Sequence, residues 1–238
     1  MPSLKKKILL LVLILSGVAM VGILFLSPRQ AAEIEQAGEY QTTVTLPAPR
    51  LEGDMSLEQA LTERRSGRDF ADEAVQLEDL AQLLWAAQGI TEADKELRTA
   101  PSAYSIYPLQ LYVAAGNVEG LEPGIYRYLV SEHKLGLVKE GDPRTGMLLG
   151  VKQPVVKQAP LSIIVCGNFS KMEKKAGEAA ERCVYLEAGH ASQNILLQAT
   201  ALGLQAVPVG GFSSDSLGKR LPLTADETSL YVIPVGNK

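Results

Sequence analysis

The run Leu161-Ser162-Ile163-Ile164-Val165-Cys166 leaves the chain few choices. A strand with one wet face alternates apolar and polar residues, whereas a continuous apolar strand needs both faces covered. The chain must therefore build a sheet with an apolar layer on each side. Residues 77–88 can supply part of one layer. They place Leu77, Leu80, Ala81, Leu83, Leu84 and Ala87 on one helical stripe, with Gly89 as a stop. A longer helix is expected over about 174–202. Its second half, residues 195–204, is apolar almost all round and should cross the core or a subunit interface, with Gly203 ending it. Residues 56–66 and 143–151 read as shorter helices, and 214–220 as a helical turn or two.

Further strands are expected at 109–115, 205–209 and 230–235. A hairpin of 124–130 and 134–138 is joined by Ser131-Glu132-His133, with His133 an exposed turn residue. Residues 98–108 read as loop. Strands and helices mix without regular alternation, which predicts an α+β fold with helices flanking the sheet rather than a doubly wound one.

The N-terminus reads separately. Lys5-Lys6-Lys7 precede an uncharged apolar run over residues 8–26. A helix of about 19 residues spans a bilayer core, and lysines before it stay cytoplasmic. The expectation is an uncleaved membrane anchor over 1–27, with the rest of the chain outside. The rival is a cleaved signal peptide, with Gly17-Val18-Ala19 as its cleavage site. Residues 28–49 read as a polar, Pro-punctuated tether, and 50–238 as one globular domain.

Net charge is −4, so no bulk electrostatics point to nucleic acid. His133, His190, Cys166 and Cys183 are scattered without zinc-type spacing, and no metal site is expected. Cys166 reads as a buried small hydrophobe. A Cys166–Cys183 disulfide is the alternative for an oxidising compartment.

No Gly-x-Ser-x-Gly elbow, Walker loop or Gly-x-Gly-x-x-Gly fingerprint is present. What stands out is Arg64-Arg65-Ser66-Gly67-Arg68, which follows the amphipathic run over 56–63 and falls at the end of a helix or in the turn after it. On its own the cluster reads first as a solvated basic helix end, favoured by the helix dipole. The sharper reading is a phosphate clamp: guanidinium forks, a hydroxyl donor, and a glycine that lets backbone approach. Beside it stand the Pro101-Ser102 loop, Glu187-Ala188-Gly189-His190 and Pro208-Val209-Gly210-Gly211. This set is rich in backbone donors and poor in acid–base groups, as suits a protein whose bound cofactor carries the reaction.

These motifs fall in the order of a known family. Leu46-Pro47, Leu57-Glu58-Gln59-Ala60-Leu61, Arg64 to Phe70, Leu83-Leu84-Trp85-Ala86-Ala87-Gln88-Gly89, Arg98 to Ala103, Tyr107-Pro108, Gly124-Ile125-Tyr126-Arg127-Tyr128, Leu186 to Asn194 and Val207 to Phe212 cover most of residues 46–236. The body resembles the nitroreductase-like FMN-dependent flavoenzymes, and within them the SagB-type dehydrogenases. That resemblance implies an α+β, nitroreductase-like fold, a mostly antiparallel central sheet, and a homodimer holding FMN between its subunits. It assigns Arg64, Arg65, Ser66 and Arg68 to the flavin phosphate, ribityl chain and pyrimidine edge. Pro101, Ser102 and Ala103 resemble the partner subunit's loop at the ring's rim. Glu187, Gly189, Gly210 and Gly211 resemble positions beneath and beside the ring. Each has a plain structural alternative: a solvated Glu187, a helix crossing at Gly189, an ordinary turn at Gly210-Gly211.

The implied activity is an FMN-dependent oxidoreductase acting on a small organic substrate with a separate electron donor. Its alternatives are oxidation of azolines in a modified peptide and a non-catalytic flavin-binding dimeric module. The chain departs from the branch in places. Tyr104 replaces a Gly, narrowing the pocket or stacking on the flavin. Azoline-oxidising members carry a Lys-Tyr pair upstream of the Glu-Ala-Gly-His helix, and here Lys175-Ala176 keeps only the lysine. Tyr185 lies nearby but is displaced along the helix. Lys175 and Tyr104 are the catalytic candidates. Where the branch often has a final Arg, this chain ends Gly236-Asn237-Lys238, and Lys238 is a candidate substitute charge.

Overall fold

The computed structural model describes residues 40 and 42–238. The expected anchor or signal peptide and the first part of the tether lie outside the described residues. Residues 40–238 make one compact unit. Among the described residues no helix is long and apolar enough to cross a membrane.

The centre is a seven-stranded sheet in the order β1-β6-β5-β4-β7-β9-β8, every neighbouring pair antiparallel. Its strands are β1 (Thr43–Thr45), β4 (Leu109–Ala115), β5 (Gly124–Leu129), β6 (Lys134–Glu140), β7 (Leu161–Asn168), β8 (Gln205–Ala206) and β9 (Glu227–Gly236). A separate two-stranded ribbon joins β2 (Ile90–Glu92) and β3 (Leu97–Arg98). β7 carries the apolar run and lies between β4 and β9, with Ile164 opposite Tyr112 on one side and Val232 on the other.

Both faces of β7 are covered. Ile163 and Val165 join the larger core with α2 (Leu77–Gln88) and α6 (Ala180–Ala201). Ile164 and Cys166 join a second core with α3 (Arg144–Val151), α4 (Val155–Gln158) and α7 (Ser214–Gly218). Cys183 packs against the first core and Cys166 lies in the second, so the sheet separates them and both thiols are free. Burial pushes the Cys166 thiol far up, which keeps it protonated.

Three expectations are corrected. The helix drawn over 174–202 is two: α5 (Phe169–Ala176) and α6, separated by a 3-10 turn at Gly177–Ala179. Gly177 has φ +50 and ψ −129, outside the helical basin. The end of the tether belongs to the fold. β-branched Thr43, Val44 and Thr45 pair with β6, and Leu46 buries to 4% exposure. His133 is half-buried rather than exposed. Its Nε2 contacts the Pro47 carbonyl and its Nδ1 the Tyr128 hydroxyl, each at 2.8 Å. A carbonyl only accepts, so Nε2 carries the proton and Nδ1 accepts from Tyr128.

Candidate functional site

The arginine turn is set up by α1 (Leu57–Glu63). Ser56 caps it, its Oγ accepting from the Gln59 amide at 3.1 Å. Arg64 leaves helical geometry, and the three guanidinium groups then part company. Arg65 folds back and donates to the Thr62 and Arg64 carbonyls at 2.9 and 2.8 Å. It satisfies carbonyls that a helix end leaves bare, which is the plain reading of the cluster. Arg64 and Arg68 have neither a hydrogen-bonding nor an ion-pairing side-chain partner among the described residues.

Backbone pairing fixes where this turn sits. Ser66 bridges Ala206 in parallel, and the Gly67 amide donates to the Ala206 carbonyl at 3.1 Å. Gln205 Nε2 donates to the Asp69 carbonyl at 2.7 Å. A Cβ on Gly67 would lie 2.0 Å from Gln205 Oε1, so the two segments pack as close as backbone allows. The chain then runs on from β8 along β9, with Val209 bridged to Val232. Gly210 and Gly211 follow. From Ala206 to Gly210 is about 13 Å at strand rise.

α6 forms the wall above this segment. Its Asn194 donates to the Ala86 carbonyl of α2 at 3.0 Å, and its Gln198 accepts from Gln82 at 3.3 Å. Those residues mark the flank toward α2. Glu187 lies on that same flank, about two turns earlier. It is 2% exposed, which rules out the solvated alternative. Gly189 is two residues on, about 200° around the helix, and so faces the opposite flank. Ser192 and Leu196 follow Gly189 at i+3 and i+7 on that flank. α6 packs over β7, β9, β8 and β4, and its Gly189 flank is turned away from α2. Val184 touches Leu230 where a Cβ on Gly167 would strike both, so Gly189 stands roughly level with Val209 and Gly210.

These segments outline a candidate trough, with the Arg64–Arg68 turn at the Ala206 end, the 206–210 backbone as floor, Gly210-Gly211 at the far end, and the Gly189 flank of α6, with buried Ser192 one turn on, as the wall assigned to it. A Cβ built on Gly189 or Gly211 meets nothing within 4 Å, so Gly189 is not a tight helix crossing. Gly210 instead backs onto the Tyr231 ring. Sequence reasoning missed Ser192 and Tyr231. Ser192 was legible as the i+3 neighbour of Gly189, whereas Tyr231 is one strand residue among several.

The Pro101–Ala103 loop is not in this trough. Thr99 ties it to the far flank of α6, donating from Oγ1 to the Trp85 carbonyl at 3.0 Å, with its own carbonyl 3.4 Å from Asn194 Nδ2. Ser102 Oγ accepts from the Tyr107 amide at 2.8 Å. Tyr104, exposed at 69%, has φ +56, a left-handed conformation that explains a glycine at this place and that costs a tyrosine energy. Lys175 is exposed in the last turn of α5. Tyr185 lies one turn before Gly189 on its flank, half exposed and edge-on to Phe169 at 5.5 Å. Lost solvation first, then the Glu181 charge and hydrogen bond, raise its phenol. Lys238 is exposed at the end of the chain, after β9.

The sequence model of the nitroreductase family matches residues 61–237. A nitroreductase-like protein of Methanocaldococcus jannaschii is 34% identical over 199 residues, 82% of this chain and 98% of that protein. A nitroreductase-like crystal structure from Ralstonia eutropha has 31% identity and a TM-score of 0.73, covering 82% of this chain and 89% of the other. A Desulfovibrio desulfuricans structure in complex with FMN, at 24% identity and a TM-score of 0.55, shares the fold over 77% of this chain and 87% of its own.

Proposed function

The chain belongs to the nitroreductase family, and on that premise we propose that it is an FMN-dependent oxidoreductase acting on small organic molecules. One observation carries the cofactor. Arg64 and Arg68 are two unpaired guanidinium groups held at one end of a trough whose other end is bare glycine backbone. A phosphate monoester carries about −2 charge and accepts such forks. A flat ring needs space without side chains, which Gly189 and Gly211 leave. The donor set therefore fits FMN. Bound there, FMN would supply the hydride and electron chemistry that these side chains lack. Arg64, Ser66 and Arg68 would hold the phosphate and sugar chain, while the glycine backbone donates to the ring. Arg65, spent on its own helix end, would add only long-range charge.

The homodimer has a structural argument as well. Gly189 lies on one flank of α6, and Glu187 and the Pro101–Ala103 loop on the other. A two-fold pair would complete each trough with the partner's second half. An apolar groove lined by Leu57, Ala60, Trp85 and Leu197 supports this, with Leu57 61% exposed. We further propose that residues 8–26 anchor the domain on the outer side of a membrane. The narrower reading, azoline oxidation in a peptide, stands second. Lys175 lies on α5, and the helix tyrosine nearest to it, Tyr185, is already engaged with Glu181 and Phe169.

The test is flavin content. Full-length protein should purify yellow with one FMN per chain. Arg64→Ala/Arg68→Ala should lose it while staying dimeric, because two charge-assisted contacts amount to about 3 kcal/mol or more, roughly a hundredfold in affinity. Full flavin retention in the double variant sinks the assignment. Failure of any hydride donor to bleach the flavin anaerobically would instead favour the non-catalytic module.

A further inference from the structure

Granted the FMN reading above, we infer that Tyr231 faces the bound ring and presents its phenol there, as a ligand-facing residue. β9 places Tyr231 on the α6 side of the sheet, half-buried against the larger core. A side chain at position 210 would rest in ordinary van der Waals contact with its ring. A Cβ built on Gly210 lies 3.4 Å from Tyr231 Cε1 and 3.8 Å from Cδ1. The Gly210 turn and the phenol therefore form one wall at the end of the trough away from the arginines. The neighbouring Gly211 and the helix residue Gly189 each open on space free of atoms to 4 Å. Glycine on two sides and an aromatic ring on the third suit a flat ligand.

The polar groups point the same way. The Tyr231 hydroxyl has no hydrogen-bond partner among the described residues. Ser192, 3% exposed and one turn along the flank from Gly189, has an Oγ equally without one. The Ser192 oxygen is buried, and leaving such a group unmet costs free energy, whereas the half-buried Tyr231 hydroxyl is free to meet a ligand. A ring bearing acceptor atoms meets that need. Tyr185 on the same flank does not share this state, because it is half exposed and bonded to Glu181.

A phenol in contact with an excited flavin quenches its emission by electron transfer, and a phenylalanine ring does not. Full-length wild type, Tyr231→Phe and Tyr185→Phe are loaded with FMN, and bound flavin and its fluorescence are compared. Tyr231→Phe is expected to hold FMN at unchanged stoichiometry and to emit severalfold more strongly. Tyr185→Phe should stay as dim as wild type. Tyr231→Trp, which restores a quencher, should return the emission to the wild-type level. Equal emission from Tyr231→Phe and wild type, both holding FMN, overturns the placement of Tyr231 and leaves the flavin reading intact. A wild type that takes up no FMN overturns both.

Discussion

Arg127 and Glu227 form an ion pair inside the protein, 3.2 Å from Nη2 to Oε1, with side chains 8% and 2% exposed. The other carboxylate oxygen accepts from the Tyr112 hydroxyl at 2.7 Å and from the Thr224 amide at 3.1 Å. The guanidinium also donates to Gln110 Oε1, at 2.8 Å from Nη2. Burial first, with Glu227 adding to it, drives the Tyr112 phenol far up, so it remains a donor. This network fastens the start of β9 to β4 and β5. Glu227→Gln keeps the shape and removes the charge, leaving Arg127 buried and unpaired. The expected loss is about 3–5 kcal/mol in urea unfolding. A loss below about 1 kcal/mol would mean that water reaches the pair.

Gly67→Ala tests the contact between the arginine turn and β8. The new Cβ meets Gln205 along its length, with Oε1 at 2.0 Å and Cβ at 2.8 Å. Overpacking of this kind costs about 1–3 kcal/mol, and flavin retention should fall with it. Adding Gln205→Ala clears the clash and should recover most of both. The double-mutant cycle in thermal unfolding reads the coupling. Additive losses would show that the two segments do not touch.

His133 gives the domain a pH dependence with a definite sign. Burial lowers its pKa below the usual 6.5, and the bond to Pro47 only partly offsets this. The unfolded chain therefore takes up the proton first, and stability falls as pH drops below 6.5. The slope is at most about 1.4 kcal/mol per pH unit. Neighbouring Glu132 and Lys134 pair with each other at 2.7 Å. Asp142 acts in a separate window. The Arg144 hydrogen bond holds its carboxyl below 3.8, so its contribution is lost only in stronger acid. Melting curves between about pH 5 and 7 should slope for wild type and flatten for His133→Phe. An equal slope in both would assign the effect elsewhere.

Thiol chemistry separates the two faces of the sheet. Cys183 is half-buried at the edge of the larger core, and Cys166 is fully buried in the other. A thiol reagent should modify Cys183 in the folded protein and Cys166 only on unfolding. Mass spectrometry of the non-reduced protein should find no link between them.

Strong periodic signals carried most of the fold. Residues 77–88 and 109–115 were legible to the residue, because an apolar stripe with a glycine stop and an alternating strand each admit one solution. Gly177 hid the break between α5 and α6, since a lone glycine in a helical pattern usually passes without interruption. His133 looked like turn filler because its partners, Tyr128 and Pro47, are distant in sequence or lie across a bend. Within the trough, Gly67 and the arginines were visible as a cluster. Their division into one helix cap and two unpaired groups was not, because it depends on side-chain directions. Gly189 and Glu187 looked like neighbours in sequence, and only helical geometry sends them to opposite flanks.

The pairing of Ser66 and Gly67 on the outer side of β8 has a consequence for how such a chain fails. β8 ends the sheet, and an uncovered edge strand recruits other chains. The arginine turn is also the cover for that edge, and its charges repel a second sheet. A substitution that unseats the turn would therefore produce a protein that clumps, and not merely one that works poorly.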